Sequence, residues 1–104
     1  MDHQLQAYET LVHIENHLRE MLIAYEYECV FNTKRRPSFD DLLYISSKIT
    51  FVITEDTVKK LNDIIPIRSK ILRMIDVTEA ELMILYECRE SLPNLPRVRR
   101  VTIV

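Results

Sequence analysis

The chain has 104 residues and a formal net charge of −2, and it contains neither glycine nor tryptophan. This length fits one domain with a single core, and the slightly acidic charge argues against a general nucleic-acid coat protein, which would be strongly basic. Glycine supplies phosphate-binding loops, tight hairpin turns and strained nucleophile turns, so its absence excludes the enzyme sites that are built on them. The composition therefore predicts helices joined by turns that need no glycine.

A first helix is predicted from about residue 2 to residue 30. Apolar side chains recur there at spacings of three and four residues, which is typical of a helix with one buried face, and glutamates occupy the other face. Residues 31–37 break this pattern and are predicted to form a loop. The predicted apolar stripe consists of Leu5, Tyr8, Leu11, Val12, Leu18, Met21, Leu22 and Tyr25.

A second helix is predicted to begin after Ser38. Serine is a good N-cap, and Asp40 and Asp41 follow in the first turn, where the helix dipole favours anions. The β-branched residues in the run 49–54 weaken the end of this helix. The same run is also compatible with a short strand, for which the sequence offers no obvious partner.

Two further helices have clear start signals. The third is predicted from Thr54, its N-cap, to about Ile75, and Pro66 should kink or interrupt it because proline cannot donate a helical hydrogen bond. The fourth begins with a capping box, in which Thr78 is the cap and Glu81 follows three residues later.

These elements predict an all-α protein, an antiparallel four-helix bundle over residues 1–91 followed by a short, extended, basic C-terminal tail over residues 92–104. The tail is expected to dock on a surface. The polar N-terminus lacks the pattern of a secretory leader, and no apolar run approaches the roughly 18 residues of a membrane span. We therefore expect a cytoplasmic protein that does not contact a membrane.

Basic residues are concentrated in the loop, the third helix and the tail, so they could converge on one surface. Alternatively, these segments pair with the acidic first and fourth helices inside a monomer or a dimer. The candidate binding residues are Lys34, Arg35, Arg36, Arg68, Ser69, Lys70, Arg73, Arg97, Arg99 and Arg100.

Arg68 has an unusual place in the third helix. It interrupts an apolar stripe whose other members are Val58, Leu61, Ile65, Leu72 and Ile75. An arginine in an apolar stripe must extend its head to water, pair with an acid or face a partner. An ion pair with an acid of the first helix, such as Glu15, is one interpretation; an arginine at an interface cleft is the other.

The segment 67–74, followed by residues 77–82, resembles the signature region of HEPN-domain proteins, and residues 14–19 are similar to the glutamate-and-arginine pattern of that family's early helix. The family motif is an arginine, usually followed by asparagine, and a histidine after four intervening residues. The resemblance covers most of residues 10–91. It implies a helical bundle that dimerises with its motifs at the subunit interface; active members are metal-independent ribonucleases.

The chain departs from this motif in a way that affects its chemistry. Arg68 matches the motif arginine, but Ser69 stands where asparagine is usual and Arg73 stands where the histidine is expected. Histidine can exchange a proton near neutral pH, whereas arginine stays protonated and cannot act as a base. The resemblance thus implies the fold and a dimer without catalysis, although Arg68 and Arg73 could still hold a phosphate.

Two other groups of residues were considered as sites. His13 and His17 share a helix face with Glu20, but a metal site would need further ligands from another helix, so no metal or other cofactor is expected. Cys29 and Cys88 lack metal-type spacing and are predicted to be free thiols, with a single disulfide as the alternative.

The sequence thus predicts a non-catalytic, HEPN-like interaction protein, a dimer that binds a protein partner, or RNA, through the third helix and the tail. The resemblance also implies a role in toxin–antitoxin systems or in conflict between bacteria and phages. Two alternatives stay open: a helical adaptor or regulator unrelated to that family, and a metal-independent ribonuclease that uses Arg68, Arg73 and another residue.

Overall fold

The structure, a computed structural model, describes residues 3–24, 38–48 and 53–94. Within these ranges every regular element is a helix, which confirms the predicted all-α class. The helices are α1 (His3–Ala24), α2 (Phe39–Ser46), α3 (Glu55–Asp63), α4 (Ile65–Leu72) and α5 (Glu79–Ser91).

Some predictions fall outside the described residues. They concern the end of the first helix after residue 24, the loop 31–37, most of the helix-or-strand run 49–54, the tail from residue 95, and, as individual residues, Cys29, Lys34, Arg35, Arg36, Arg97, Arg99 and Arg100.

The predicted starts of α2 and α5 are confirmed by their caps. The Ser38 hydroxyl accepts a hydrogen bond from the Asp41 backbone N–H at 3.2 Å, and the Asp41 carboxylate accepts one from the Ser38 N–H at 3.0 Å. Thr78 and Glu81 form the same reciprocal pair at the start of α5. Each pair satisfies two backbone donors that the first helical turn leaves open.

The predicted third helix is divided into two. Thr54 caps α3 as expected, but α3 ends at Asp63, and Ile64 separates it from α4. Pro66 lies in the first turn of α4, where its missing N–H does no harm, whereas in one continuous helix the same residue would break the hydrogen-bond ladder. The predicted interruption at Pro66 is therefore confirmed.

The C-terminus of α4 carries a local strain. The Met74 N–H donates to the Ile71 carbonyl at 3.1 Å, and the Ile75 N–H donates to the Lys70 carbonyl at 2.8 Å, which is the Schellman pattern. This motif places Met74 at a φ of 58°, in the left-handed region that usually holds glycine. Because the chain has no glycine, a methionine takes this position at a cost of about 1–2 kcal/mol.

Helices α1 and α5 run in the same direction. Near the start of α1, the Gln4 side chain donates to the Ile75 carbonyl and accepts from the Val77 N–H, just before α5 begins. Thirteen residues further along α1, His17 bonds the Pro93 carbonyl, just after α5 ends. The two starts lie together and the two ends lie together.

The α3–α4 segment runs the opposite way. Thr57, at the start of α3, donates to the carbonyl of Ser91 at the end of α5. Lys70, at the end of α4, contacts Glu81 at the start of α5. Three long segments, α1, α3–α4 and α5, thus alternate in direction, since α2 has only eight residues and is about 12 Å long. The first and third are therefore parallel, and the predicted antiparallel four-helix arrangement is not confirmed.

The core contains only part of the predicted apolar stripe of α1: Leu11, Leu18 and Met21 are buried as predicted, and Ala7 and Ile14 join them. Leu5 and Tyr8 are 54% and 53% exposed, although the predicted stripe includes both. Apolar residues cover two adjacent faces of this helix, and periodicity alone does not tell which of them packs inward. Thr10 of α1 is buried, and the buried apolar side chains of α1 form one core cluster with those of the other helices: Ala7, Leu11, Ile14, Leu18 and Met21 with Phe39, Leu42, Leu61, Ile64, Ile67, Leu82, Leu85 and Cys88.

Replacing Met74 by glycine is expected to stabilise the protein. The change removes the left-handed strain and adds backbone entropy to the unfolded chain, and the difference should raise the free energy of unfolding by about 0.5–1 kcal/mol. The matched control is Met83→Gly, within α5, which should lower it by about 0.5–1 kcal/mol. Urea unfolding measures both; a loss of stability in Met74→Gly would contradict the strained cap.

Candidate functional site

Arg68 joins three helices. Its Nη2 lies 3.8 Å from Oε1 of Glu15 on α1, and its guanidinium carbon lies 5.0 Å from the ring centroid of Phe39 on α2. The side chain is 29% exposed, so it is largely packed against these neighbours. We call Glu15, Phe39 and Arg68 the arginine clamp. Of the two interpretations given to Arg68, the ion pair with Glu15 is the one observed.

A second arginine shares the same carboxylate. Arg19 Nη2 also lies 3.8 Å from Glu15 Oε1, and Glu15 is only 14% exposed. A carboxylate so far removed from water needs cationic partners, since an unpaired buried charge is strongly destabilising. The Arg68 Nε is buried and has no hydrogen-bond acceptor among the described residues. Stacking on Phe39 is therefore an important part of what holds this guanidinium.

The apolar stripe predicted around Arg68 is buried only in its first half, where Leu61 is fully buried and Val58 packs against the core. Ile65 is 39% exposed and Leu72 is 57% exposed, so Arg68 lies at the edge of α4 and not in a buried seam. The predicted stripe assumes one continuous helix, but the break at Ile64 changes the rotational phase between α3 and α4. The side chains of α3, α4 and their junction that are buried are Thr57, Leu61, Ile64, Ile67 and Ile71.

Lys70 also forms an ion pair within the molecule. Its Nζ lies 2.9 and 2.8 Å from the two carboxylate oxygens of Glu81 and thereby ties α4 to the start of α5. The hydrogen bonds from Lys70 and from the Thr78 backbone N–H lower the pKa of the Glu81 carboxyl. Because the folded-state pKa is lowered, the contact stabilises the fold above the ordinary carboxyl pKa, and this contribution is lost as the pH falls through the lowered value.

The remaining predicted binding residues of α4 face water. Ser69 and Arg73 are exposed, and Arg73, the C-cap of α4, forms no ion pair within the described part of the chain. The predicted binding residues on α4 and at its C-cap thus fall into two groups. Arg68 and Lys70 hold the helix in place, whereas Ser69 and Arg73 are accessible to another molecule.

Exposed apolar side chains lie beside this pair of residues. The Gln4–Ile75 and Glu15–Arg68 contacts fix an antiparallel pairing of α1 and α4. Tyr8 is four residues after Gln4 and therefore lies on the same side of α1 as Gln4; Leu72 is four residues after Arg68 and lies on the same side of α4 as Arg68. Along each helix, these positions fall between the two contacts. We call Leu5, Tyr8, Leu72, Met74 and Ile75 the α1–α4 apolar surface; each is between 39% and 86% exposed.

Sequence reasoning missed this surface. The predicted stripes include Leu5, Tyr8, Leu72 and Ile75, because periodicity does not distinguish an apolar residue that faces a core from one that faces a partner. One signal was present in the sequence. The last residue of α4 and the three residues after it, 72–75, include more large apolar side chains than a solvent-exposed helix end needs.

One member of the histidine pair, His17, is hydrogen-bonded to the backbone just after the end of α5. The ring centroids of His13 and His17 lie 6.1 Å apart, and the His17 Nε2 lies 2.6 Å from the Pro93 carbonyl oxygen. Because a carbonyl only accepts hydrogen bonds, this nitrogen carries a proton and is not available to a metal. The described ranges contain no group of three or more residues that could hold a metal ion.

Cys88 is a buried, free thiol in the core. Burial raises the pKa of this thiol to about 12. A thiol that stays protonated is a poor nucleophile, so Cys88 acts as a core residue.

No helix in the described part of the chain is long and apolar enough to cross a membrane. Comparisons of the chain with family models, with curated proteins and with solved structures find no match. The HEPN resemblance therefore stays a prediction.

Replacing Arg68 by alanine is expected to lower the free energy of unfolding by about 1–2 kcal/mol, since it removes the stacking on Phe39 and leaves Glu15 with less positive charge nearby. A double-mutant cycle with Glu15→Gln should give a coupling energy of about 0.5–1 kcal/mol. Arg68→Lys should restore only part of the loss, because an ammonium group lacks the flat guanidinium face.

The matched control for this cycle is Arg73→Ala, which removes an exposed arginine of the same helix end. Its effect should stay within about 0.5 kcal/mol of the unmodified protein. Urea unfolding followed by circular dichroism measures all of the variants. Equal effects of the two alanine substitutions would contradict the arginine clamp.

Proposed function

We propose that this protein is a non-catalytic helical interaction protein that binds a protein partner through the α1–α4 apolar surface and Arg73. The observation that carries the proposal is the exposure of five large apolar side chains on α1 and at the C-terminal end of α4 and the residues after it, two helices that the Glu15–Arg68 contact holds together. Soluble monomers rarely expose contiguous apolar patches of this kind, and larger ones mark interaction sites.

The charge beside the surface defines the chemistry of the partner. Helix α4 contains no acidic residue, and Arg73 lies directly between Leu72 and Met74 in the sequence. Arginine and aromatic residues are enriched in interfaces, where they combine apolar contact with directional hydrogen bonds. The fitting partner therefore presents apolar side chains with a carboxylate at their edge.

A protein partner is favoured over RNA by the use of the cations. RNA binding depends on cations that are free to contact phosphates. Arg68 is turned towards Glu15 and Lys70 towards Glu81, so two of the three basic side chains in the described segment 65–73 are already neutralised. Of these three, Arg73 alone is free of an ion pair within the described ranges, and one arginine offers little electrostatic attraction to a phosphate backbone.

The proposal also retains what the sequence predicted about the setting of the protein. It includes a degenerate HEPN-like domain, a homodimer, a cytoplasmic location and a role in toxin–antitoxin or phage–bacterium conflict. The antiparallel four-helix bundle of that family is proposed in a modified form, in which the α3–α4 segment lies antiparallel to both α1 and α5. Light scattering at two protein concentrations tests the dimer.

Purified protein is expected to leave labelled single-stranded RNA intact, with or without a chelator. Arg73 stands where active relatives would have a histidine, and arginine cannot take up a proton in the reaction. Gel analysis after long incubation measures cleavage. Cleavage that persists after repurification and disappears in Arg68→Ala would overturn the non-catalytic assignment.

Partner binding is tested with a photoreactive phenylalanine analogue at position 72, expressed in cells that naturally contain the protein. Irradiation should attach one defined protein, and Arg73→Glu should reduce the yield at least fivefold because it reverses the charge at the edge of the surface. The matched control carries the analogue at position 84, since Ile84 is an exposed residue of α5.

Three results would contradict the proposal: equal yields at positions 72 and 84, no effect of Arg73→Glu, or adducts that ribonuclease removes. The last result would assign the surface to RNA. Adducts of twice the mass of the chain would identify a second copy as the partner and would support the dimer.

A further inference from the structure

A groove lies between α3 and α5, away from the contact between α1 and α4. It has a volume of about 440 Å³ and is lined by Lys60, Met83, Tyr86, Glu87, Glu90 and Ser91. Met83 is 50% exposed, and Tyr86 is half-buried against the core, so the two form an apolar floor. Apolar side chains with polar groups around them are typical of sites that bind peptide segments.

The rim of this groove is acidic. Helix α5 carries four glutamates and one arginine, which gives it a net charge of −3. Glu87 and Glu90 are exposed on the rim, and the Lys60 Nζ is 2.9 Å from Asp56 Oδ2, so the lysine that lines the groove is already paired. The groove therefore favours an occupant that combines positive charge with apolar side chains.

The aromatic floor already contacts one guanidinium. The Arg89 guanidinium carbon lies 5.1 Å from the centroid of the Tyr86 ring. Arginine stacks on aromatic faces because of the negative potential of the ring, and the contact is stronger where water is partly excluded. A further arginine entering the groove would meet the same ring and the exposed carboxylate of Glu87, whereas Glu90 Oε1 already lies 3.4 Å from Arg89 Nη2.

We propose that this groove binds the C-terminal segment of the same chain, residues 95–104. This segment carries three arginines and no acidic side chain, and its apolar residues include Val98, Val101 and Ile103. Its composition is complementary to an apolar floor with an acidic rim. The occupant thus follows from charge and composition together.

The position of the chain end supports this assignment. The described residues end at Asn94, three residues after Ser91, which itself lines the groove. The hydrogen bond between His17 and the Pro93 carbonyl fixes the point from which the segment departs. Ten residues can reach up to about 33 Å, and the distance along α5 from Ser91 to Met83 is about 12 Å. The segment is long enough, and its tethering gives it a high effective concentration at the groove.

This contact is independent of the α1–α4 apolar surface, because the two surfaces share no residue. The failure of either proposal would therefore leave the other standing. Together they assign the two exposed apolar regions to different occupants: an external protein partner on α1 and α4, and the chain's own end on α3 and α5.

Disulfide trapping in the full-length protein tests the proposal. Ile103→Cys is combined with Met83→Cys in a background that carries Cys29→Ser; Cys88 stays in place because it is buried in the core. The matched control combines Ile103→Cys with Ile84→Cys, the next exposed residue of α5. Under mild oxidation at low protein concentration, the pair with position 83 should form an intramolecular disulfide at least tenfold faster.

The contribution of charge is tested in the same assay. Glu87→Gln together with Glu90→Gln should slow trapping at position 83 at least threefold, and 1 M salt should do the same, since salt screens exposed charges. Equal rates at positions 83 and 84 would overturn the proposal. So would a product consisting of covalent dimers, which would show that a second copy supplies the segment.

Discussion

The guanidinium of Arg68 sets the orientation of α4 and with it the surface that the protein presents. It lies against Glu15 of α1 and the ring of Phe39 of α2, so one side chain connects three helices that are distant in sequence. Residues three and four positions apart on a helix lie on the same side, and those one position apart do not. With Arg68 turned inward against α1, Ser69 and Arg73 point outward and Leu72 is left beside the contact.

Lys70 completes this arrangement from the other side. Its ion pair with Glu81 holds α4 against the capped start of α5, so α4 is fixed by one cation at each edge. Two of the three basic side chains of α4 and its C-cap are thereby removed from the binding chemistry, and apolar contact becomes the dominant property of the exposed surface. This distribution of charge is the basis on which we propose a protein partner rather than RNA.

The parts of the fold that depend on neighbouring residues could be predicted from the sequence. The caps at Ser38, Thr54 and Thr78 and the break at Pro66 are set by side chains within three or four positions, and the structure has all of them. The parts that depend on distant contacts could not. The phase of α4 changes at Ile64, so the stripe that included Leu72 did not continue into the core.

The same limit applies to the candidate site. The sequence allows two interpretations of Arg68, an ion pair with Glu15 and an arginine at an interface cleft. It does not decide between them, because it gives no distance between the helices. Neither the parallel pairing of α1 with α5 nor the exposure of Tyr8 could be deduced, because both depend on how three long segments pack. The αL position of Met74 was also missed, since the absence of glycine conceals the usual sign of such a turn.

The most direct test of the arginine clamp is nuclear magnetic resonance of the Arg68 side chain. A buried Nε–H next to an aromatic ring should give a resolved signal that exchanges slowly with water, is shifted by the ring current and shows nuclear Overhauser contacts to Phe39. Arg73 supplies the exposed reference in the same spectrum. An Arg68 signal that exchanges as fast as that of Arg73, without contacts to Phe39, would contradict the account.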